Sequence, residues 1–209
     1  MTYGEYMKGV VQGEKNILFV NMAWGLGLGI IIDGNLYYGK SGFSGEFGHF
    51  CMFENEVLCH CGKKGCLETE ASGSAFHRIL IERYREGSNT ILAGKLDSGE
   101  EISLGDLLEA VRKEDVLCID NPRKMGRKFR KRYCRTDEYF QSGTGHTGRK
   151  RLSLAGEYIS LPIKSAIRKY SLNLVNQDTE IKISKLGERA GAFGACLLSR
   201  SKLLGMIHY

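Results

Sequence analysis

Residues 45–68 read G-E-F-G-H-F-C-M-F-E-N-E-V-L-C-H-C-G-K-K-G-C-L-E. Within them His49, Cys59, Cys61 and Cys66 fall in the pattern H-x9-C-x-C-x4-C, with Gly62 and Gly65 between the last two cysteines. Thiolates and imidazole are the ligands that tetrahedral zinc prefers, and three thiolates with one imidazole form a closed structural set. A closed set leaves no position for an activated water, so Zn2+ here is expected to organise the loop and not to perform chemistry. The two glycines let a short loop wrap the ion. The alternative for the same residues is a group of free surface thiols. His60 is a rival ligand, but it sits between two thiolates with little reach. Cys51, Cys118, Cys134 and Cys196 are scattered and are read as carrying no function.

Upstream of this stretch, Asn16 to Met22 is an apolar run that predicts a buried strand. Gly25-Leu26-Gly27-Leu28-Gly29 reads as a glycine loop. Ile30-Ile31-Ile32 and Leu36-Tyr37-Tyr38 flank Asp33-Gly34-Asn35, a hairpin signal. Ser41 to Leu67 should be mostly loop. Downstream, Ser74 to Glu86 predicts a helix with Phe76, Ile79, Leu80 and Tyr84 on one face. Ser103 is placed to cap a second helix carrying Leu107, Leu108 and Val111, and Asp115 to Asp120 can begin a third. Leu161 to Tyr170 reads as helix, Ile181-Lys182-Ile183 as a short strand, and Ala190 to Met206 as a helix with Gly191, Gly194 and Ala195 on one side.

The chain has 209 residues, 42% hydrophobic and 26% charged. That is the composition of an ordinary soluble globular domain. No apolar run approaches the roughly 18 residues of a membrane span, and the first residues lack a basic-then-apolar leader. The expectation is a cytoplasmic protein with no membrane partner. Its seven cysteines then sit in a reducing compartment, where clustered thiols indicate metal and not bridges. The net charge of +6 is unevenly spread. Residues 122–151 hold eleven of the thirty basic residues and only two acids, Asp137 and Glu138. Residues 121–151 also contain no Ala, Val, Leu or Ile, so they cannot offset their ordering entropy by burial.

The G-E-F-G-H motif, followed by Cys59-x-Cys61-Gly62-Lys63-Lys64-Gly65-Cys66-Leu67-Glu68, closely resembles the signature of the ROK family of repressors, open reading frames and sugar kinases. Asp33-Gly34 and Ala71-Ser72-Gly73 also sit where that family has them. The resemblance is strong from Gly4 to about Glu68 and continues more weakly to the C-terminus. It implies an α/β fold, a partial ROK domain over 1–209 resembling the C-terminal lobe of the actin-like sugar-kinase fold, with a zinc and sugar loop at 41–70 and an anomalous basic segment at 121–151. It implies too that Glu46, His49 and Glu68 contact sugar hydroxyls. Carboxylates accept from vicinal hydroxyls, and a zinc-bound imidazole presents its second N–H as a donor.

Several features depart from the kinase members of the family. Their catalytic aspartate lies in an N-D-x-N stretch just before the position of Gly4-Glu5, and this chain begins after it. The first phosphate loop is not in these residues, nor is the helix-turn-helix of repressor members. The second phosphate loop, G-T-G in family kinases, is Ala23-Trp24-Gly25 here. Indole removes a hydroxyl donor and adds bulk where backbone must approach an anion, so Gly25 and Gly27 are only weak candidates for holding the phosphates of ATP. A strand-connecting turn accounts for them equally well.

The stretch Arg127-Lys128-Phe129-Arg130-Lys131-Arg132-Tyr133 interleaves basic and aromatic residues, as a nucleic-acid-binding run would. The family instead carries an apolar helix running into a strand at this point. Back-translation of Arg127 to Lys150 with a one-base shift permits E-N-L-G-K-G-I-A-G-L-M-N-I-F-N-P-E-L-V-I-L-G-G-K. A one-base insertion near Arg127 with a compensating loss near Arg151 is therefore expected. The preferred reading is a sugar-binding transcriptional regulator of the repressor type, its partners a monosaccharide or sugar phosphate and, through an N-terminal domain missing from this chain, DNA. Its parent is expected to be a homo-oligomer. The alternative is an ATP-dependent hexose kinase of the glucokinase type. A third reading is a nucleic-acid-binding module built on Arg127 to Arg135. Because it lacks the aspartate region, the chain as given is not expected to transfer phosphate, and no catalytic residue is assigned.

Overall fold

A computed structural model describes residues 1–120, 144–148, 180–187 and 189–205. The apolar run forms β1 (Ile17–Met22), in which Ile17, Leu18, Phe19, Val20 and Met22 are all buried. Burial on both faces is what a central strand requires. β2 (Leu26–Ile32) pairs antiparallel with β1, and β3 (Asn35–Leu36) pairs antiparallel with β2. On the other side of β1 lie β4 (Thr144–Gly148) and then β5 (Glu180–Ile183), both parallel. The sheet order is β3-β2-β1-β4-β5.

The β2–β3 turn has Asp33 at φ 50° and Gly34 at φ 82°. Two left-handed central residues match the right-handed twist of a hairpin, as the Asp-Gly signal predicts. The third strand is shorter than predicted and omits Tyr37 and Tyr38. Their carbonyls accept instead from the Ser44 hydroxyl and the Ser44 N–H, folding the chain back over Gly39. The glycine loop is also corrected, because β2 starts at Leu26 and takes in Gly27 and Gly29. At Gly29 a Cβ would stand 1.7 Å from Thr2 Oγ1. The glycine there admits a helix against the sheet and does not break the strand.

That helix is α1 (Thr2–Lys8). It packs on the last helix, α5 (Arg189–Leu203), where a Cβ on Gly4 would stand 2.6 Å from the Ala190 carbonyl oxygen. Tyr3 and Ser201 share a buried hydrogen bond of 2.9 Å between their hydroxyls. The buried Glu5 carboxylate accepts from the Leu186 N–H at 2.9 Å and from the Ser184 hydroxyl. Both ends of the described chain are thereby joined on one face of the sheet.

The opposite face carries α2 (Gly73–Arg85), α3 (Ala93–Ser98) and α4 (Leu104–Arg112). Ser72 caps α2 by accepting from the Ala75 N–H. Ser103 caps α4 in a full capping box with Asp106. Residues 116–120 are helical, and Asp115 caps them through the Cys118 N–H. The core joins Val20, Met22 and Leu26 of the sheet to Phe76, Leu80, Leu107, Leu108 and Val111 of the helices, with Phe47 and Leu67 entering from the loop.

The helix expected over 161–170 lies outside the described residues, as do 121–143 and 149–151 of the basic segment. β4 is the exception. Thr-Gly-His-Thr-Gly is a poor strand sequence for a place between two parallel neighbours, where apolar β-branched runs are the rule. The shifted frame places L-V-I-L-G on these five positions. It predicts that the locus, sequenced at nucleotide level, encodes that run one base out of frame. Codons that exclude the run contradict it. For the capping box, Ser103→Ala should cost about 1 kcal/mol, read as a lower unfolding midpoint in denaturant; an unchanged midpoint would show that the box contributes nothing.

Candidate metal centre and sugar site

Residues 46–70 approach the core as two short 3₁₀ turns, Phe47–His49 and Leu67–Thr69, joined by an irregular loop. Phe47 and Leu67 are fully buried and fix the two ends of the loop. Between them a pair of bridges, Cys51 with Cys66 and Leu58 with Lys64, brings the returning strand beside the outgoing one. The tight return has Gly62 at φ 84° and Gly65 at φ 75°. A Cβ on Gly65 would also stand 2.1 Å from the Phe53 carbonyl oxygen, so glycine is required there on two counts.

This geometry gathers the predicted ligands. One ligand atom from each of His49, Cys59, Cys61 and Cys66 lies within 4.8 Å of all the others. Cys59 Sγ is 3.5 Å from His49 Nδ1, and Cys61 Sγ is 3.6 Å from Cys66 Sγ. A tetrahedron with metal–sulfur bonds of about 2.3 Å has edges of about 3.8 Å. The four residues therefore fit a zinc ion in size and donor type. His60, the rival ligand, is exposed and does not join the group. The thiols differ in acidity. Burial pushes Cys66 up to about 12 and raises Cys59, whereas the Lys63 N–H lowers Cys61. A divalent cation reverses this by stabilising all three thiolates.

The three residues assigned to sugar sit around this cluster. His49 Nε2, the nitrogen turned away from the thiols, is 3.6 Å from Glu46 Oε2. Glu46 is more than half exposed. Glu68 is buried, and its Oε1 lies 3.9 Å from Cys59 Sγ. Glu68 also lines a cavity of about 180 Å³ with Leu58, His60, Thr69, Ser74 and Arg78. Glu46 and His49 do not line it. Cys59 thus stands between Glu68 on one side and the His49–Glu46 pair on the other.

Glu68 has a second partner that the sequence did not indicate. Its Oε2 accepts from the Leu26 N–H at 2.7 Å, and a Cβ on Gly25 would stand 2.7 Å from that oxygen. The carbonyls of Ala23 and Trp24 accept in turn from the Gly73 and Ser74 N–H groups at the start of α2. The β1–β2 turn is thereby closed by protein groups. A carboxylate occupies the donor beside Gly25, where a phosphate was weakly expected. Gly27 lies in β2 with open space at its Cβ position. Trp24 is partly exposed and its ring meets that of His77, centroids 5.4 Å apart. Burial lowers the His77 pKa, which favours a neutral imidazole against the indole. The signal for this pair was Trp24 in place of a small residue, but nothing in the spacing pointed to His77.

The family model for the ROK family matches residues 1–202. Among curated relatives, a glucokinase from Halalkalibacterium halodurans is 31% identical over 91% of this chain and 58% of its own length. A xylose repressor from Bacillus subtilis is 44% identical, but over 40% of this chain and 22% of its own length. Among solved structures, a ROK family transcriptional regulator homologous to the E. coli MLC protein superposes with TM-score 0.83 at 30% identity, over 96% of this chain and 49% of that one. A ROK family glucokinase from Streptomyces griseus, in complex with glucose and AMPPNP, superposes with TM-score 0.82 at 29% identity, over 96% of this chain and 65% of that one. The chain spans less than two thirds of the length of the curated glucokinases it matches. These likenesses place the sheet and its helices in the actin-like sugar-kinase architecture. Elemental analysis of protein purified without chelator should give about one zinc per chain. Cys66→Ser should lose the metal and lower the unfolding midpoint, while a metal-free wild-type chain would contradict the cluster's role.

Proposed function

Because the chain belongs to the ROK family, we propose that it is the sugar-binding part of a transcriptional regulator of the repressor type. The observation that carries this reading is the closed β1–β2 turn. An anion seated at Gly25 would meet the Glu68 carboxylate at the Leu26 N–H, and like charges at that distance repel. Trp24 adds bulk at the same turn. The groups that suit a neutral polyol, by contrast, are present. Glu46 is exposed and His49 offers Nε2 beside it.

In this reading His49, Cys59, Cys61 and Cys66 would hold zinc through His49 Nδ1, which would leave the His49 Nε2–H facing outward. The ion supplies no chemistry to the sugar. Glu46 accepts from a hydroxyl, His49 donates to its neighbour, and Glu68 contributes its carboxylate while tying the sugar loop to the sheet. Sugar then acts by fixing this loop, and DNA contact belongs to a domain outside residues 1–209. A cytoplasmic location suits thiols that must stay reduced. The basic run at Arg127 to Arg135 lies outside the described residues and plays no part.

The second reading, an ATP-dependent hexose kinase, is favoured by the glucokinase likeness over 91% of the chain. Calorimetry with a panel of monosaccharides, with and without ATP, separates the two. The regulator reading predicts sugar binding that added ATP leaves unchanged, whereas the kinase reading predicts that ATP itself binds and alters the affinity for sugar. Glu46→Ala and Glu68→Gln should each weaken binding about tenfold, the worth of a hydrogen bond to a charged group. Turnover with ATP would replace this reading with the kinase one; failure of every sugar to bind would remove both.

A further inference from the structure

Cys51 is not one of the four converging residues, yet it is the neighbour of one. The bridge between Cys51 and Cys66 is flanked by two hydrogen bonds, Met52 N–H to the Gly65 carbonyl at 2.7 Å and Leu67 N–H to the Phe50 carbonyl at 3.0 Å. The cysteines are therefore the non-hydrogen-bonded pair of an antiparallel ladder. Such pairs have Cα atoms about 4.5 Å apart and side chains on the same face. A disulfide needs Cα atoms about 4.4–6.8 Å apart. The Cys51 sulfur also leans toward its partner strand. It lies 3.6 Å from the Lys64 carbonyl oxygen, and a Cβ on Gly65 would stand 3.1 Å from it. Cys51 is exposed, whereas Cys66 has no exposed surface.

We propose that Cys51 is a disulfide partner for Cys66, and that oxidation of this pair by a peroxide dismantles the metal centre. The release of metal rests on the zinc reading above; the formation of the disulfide does not. With the ion bound, Cys59, Cys61 and Cys66 are all held to it, and Cys51 is the adjacent thiol left over. The Cys51 thiolate attacks one peroxide oxygen. The O–O bond breaks, hydroxide leaves and takes a proton as water, and Cys51 becomes a sulfenic acid. The Cys66 sulfur then attacks the sulfenic sulfur. The S–S bond forms, the S–O bond breaks, and hydroxide leaves as a second water after protonation. Two thiols lose two electrons and the peroxide gains them. Cys66 no longer carries a lone thiolate, so the ion loses one of its four ligands. A dithiol reductant reverses the step by exchange. The other described thiols outside the cluster lack this arrangement. Cys118 is buried in the core among α4 and its neighbours, and Cys196 sits on α5.

The test treats the full chain with hydrogen peroxide and follows released zinc with a chromogenic chelator. In parallel, digestion with trypsin and a glutamate-specific protease under non-reducing conditions separates the candidates. Cys51 falls in one peptide, Cys59 and Cys61 in a second, and Cys66 in a third. The expected result is a peptide linking Cys51 to Cys66, formed in step with zinc release. Cys51→Ser should keep its full metal content before oxidation and release zinc about tenfold more slowly, since the attacking thiol is gone. A link between Cys61 and Cys66, or oxidation of Cys51 without a link, overturns the proposal, as does unchanged release in Cys51→Ser. A Cys51–Cys66 link in protein that never held metal keeps the pair and removes the zinc reading.

Discussion

Three thiols and one imidazole have to converge on a point, and residues 41–70 are arranged so that they do. This stretch has no helix beyond single 3₁₀ turns and no strand beyond two isolated bridges. Regular hydrogen bonding therefore holds little of it. Phe47 and Leu67 anchor its ends in the core, and the side chains of His49, Cys59, Cys61 and Cys66 come together between them. Everything assigned to sugar recognition follows from that convergence. His49 turns one nitrogen to the thiols and the other to Glu46. Glu68, two residues after Cys66, is carried inward until it meets the sheet at Leu26.

That last contact ties three parts together. Glu68 joins the metal loop to the β1–β2 turn, and the turn's carbonyls are in turn held by the first N–H groups of α2. A carboxylate satisfies the Leu26 N–H, beside Gly25. The same carboxylate thus places a negative charge at the neighbouring turn. Relatives of both kinds match most of this chain, glucokinases and a xylose repressor alike.

Much of this was legible in the sequence because it depends on residue type and spacing. The Cys and His pattern, the Asp-Gly hairpin, the Ser103 cap and the apolar run of β1 each have a local physical cause. The misses have a different origin. Gly27 and Gly29 read as loop because glycine breaks strands, yet Gly29 is fixed by the approach of Thr2, a residue far away in sequence. α1 and α3 are seven and six residues long, too short for periodicity to register. Cys51 carries no signal in the sequence because the residue opposite it, Cys66, lies fifteen positions away on another strand segment. The link from Glu68 to Leu26 spans 42 residues and leaves no trace in either neighbourhood. Long-range contacts of this kind are set by packing and not by spacing.

The central claim is that His49, Cys59, Cys61 and Cys66 form one metal centre on which the sugar loop depends. X-ray absorption at the zinc edge on the purified full chain tests it most directly. The account predicts a first shell of three sulfurs at about 2.3 Å and one nitrogen at about 2.0 Å. A shell of oxygen and nitrogen alone, or one of four sulfurs, would contradict it.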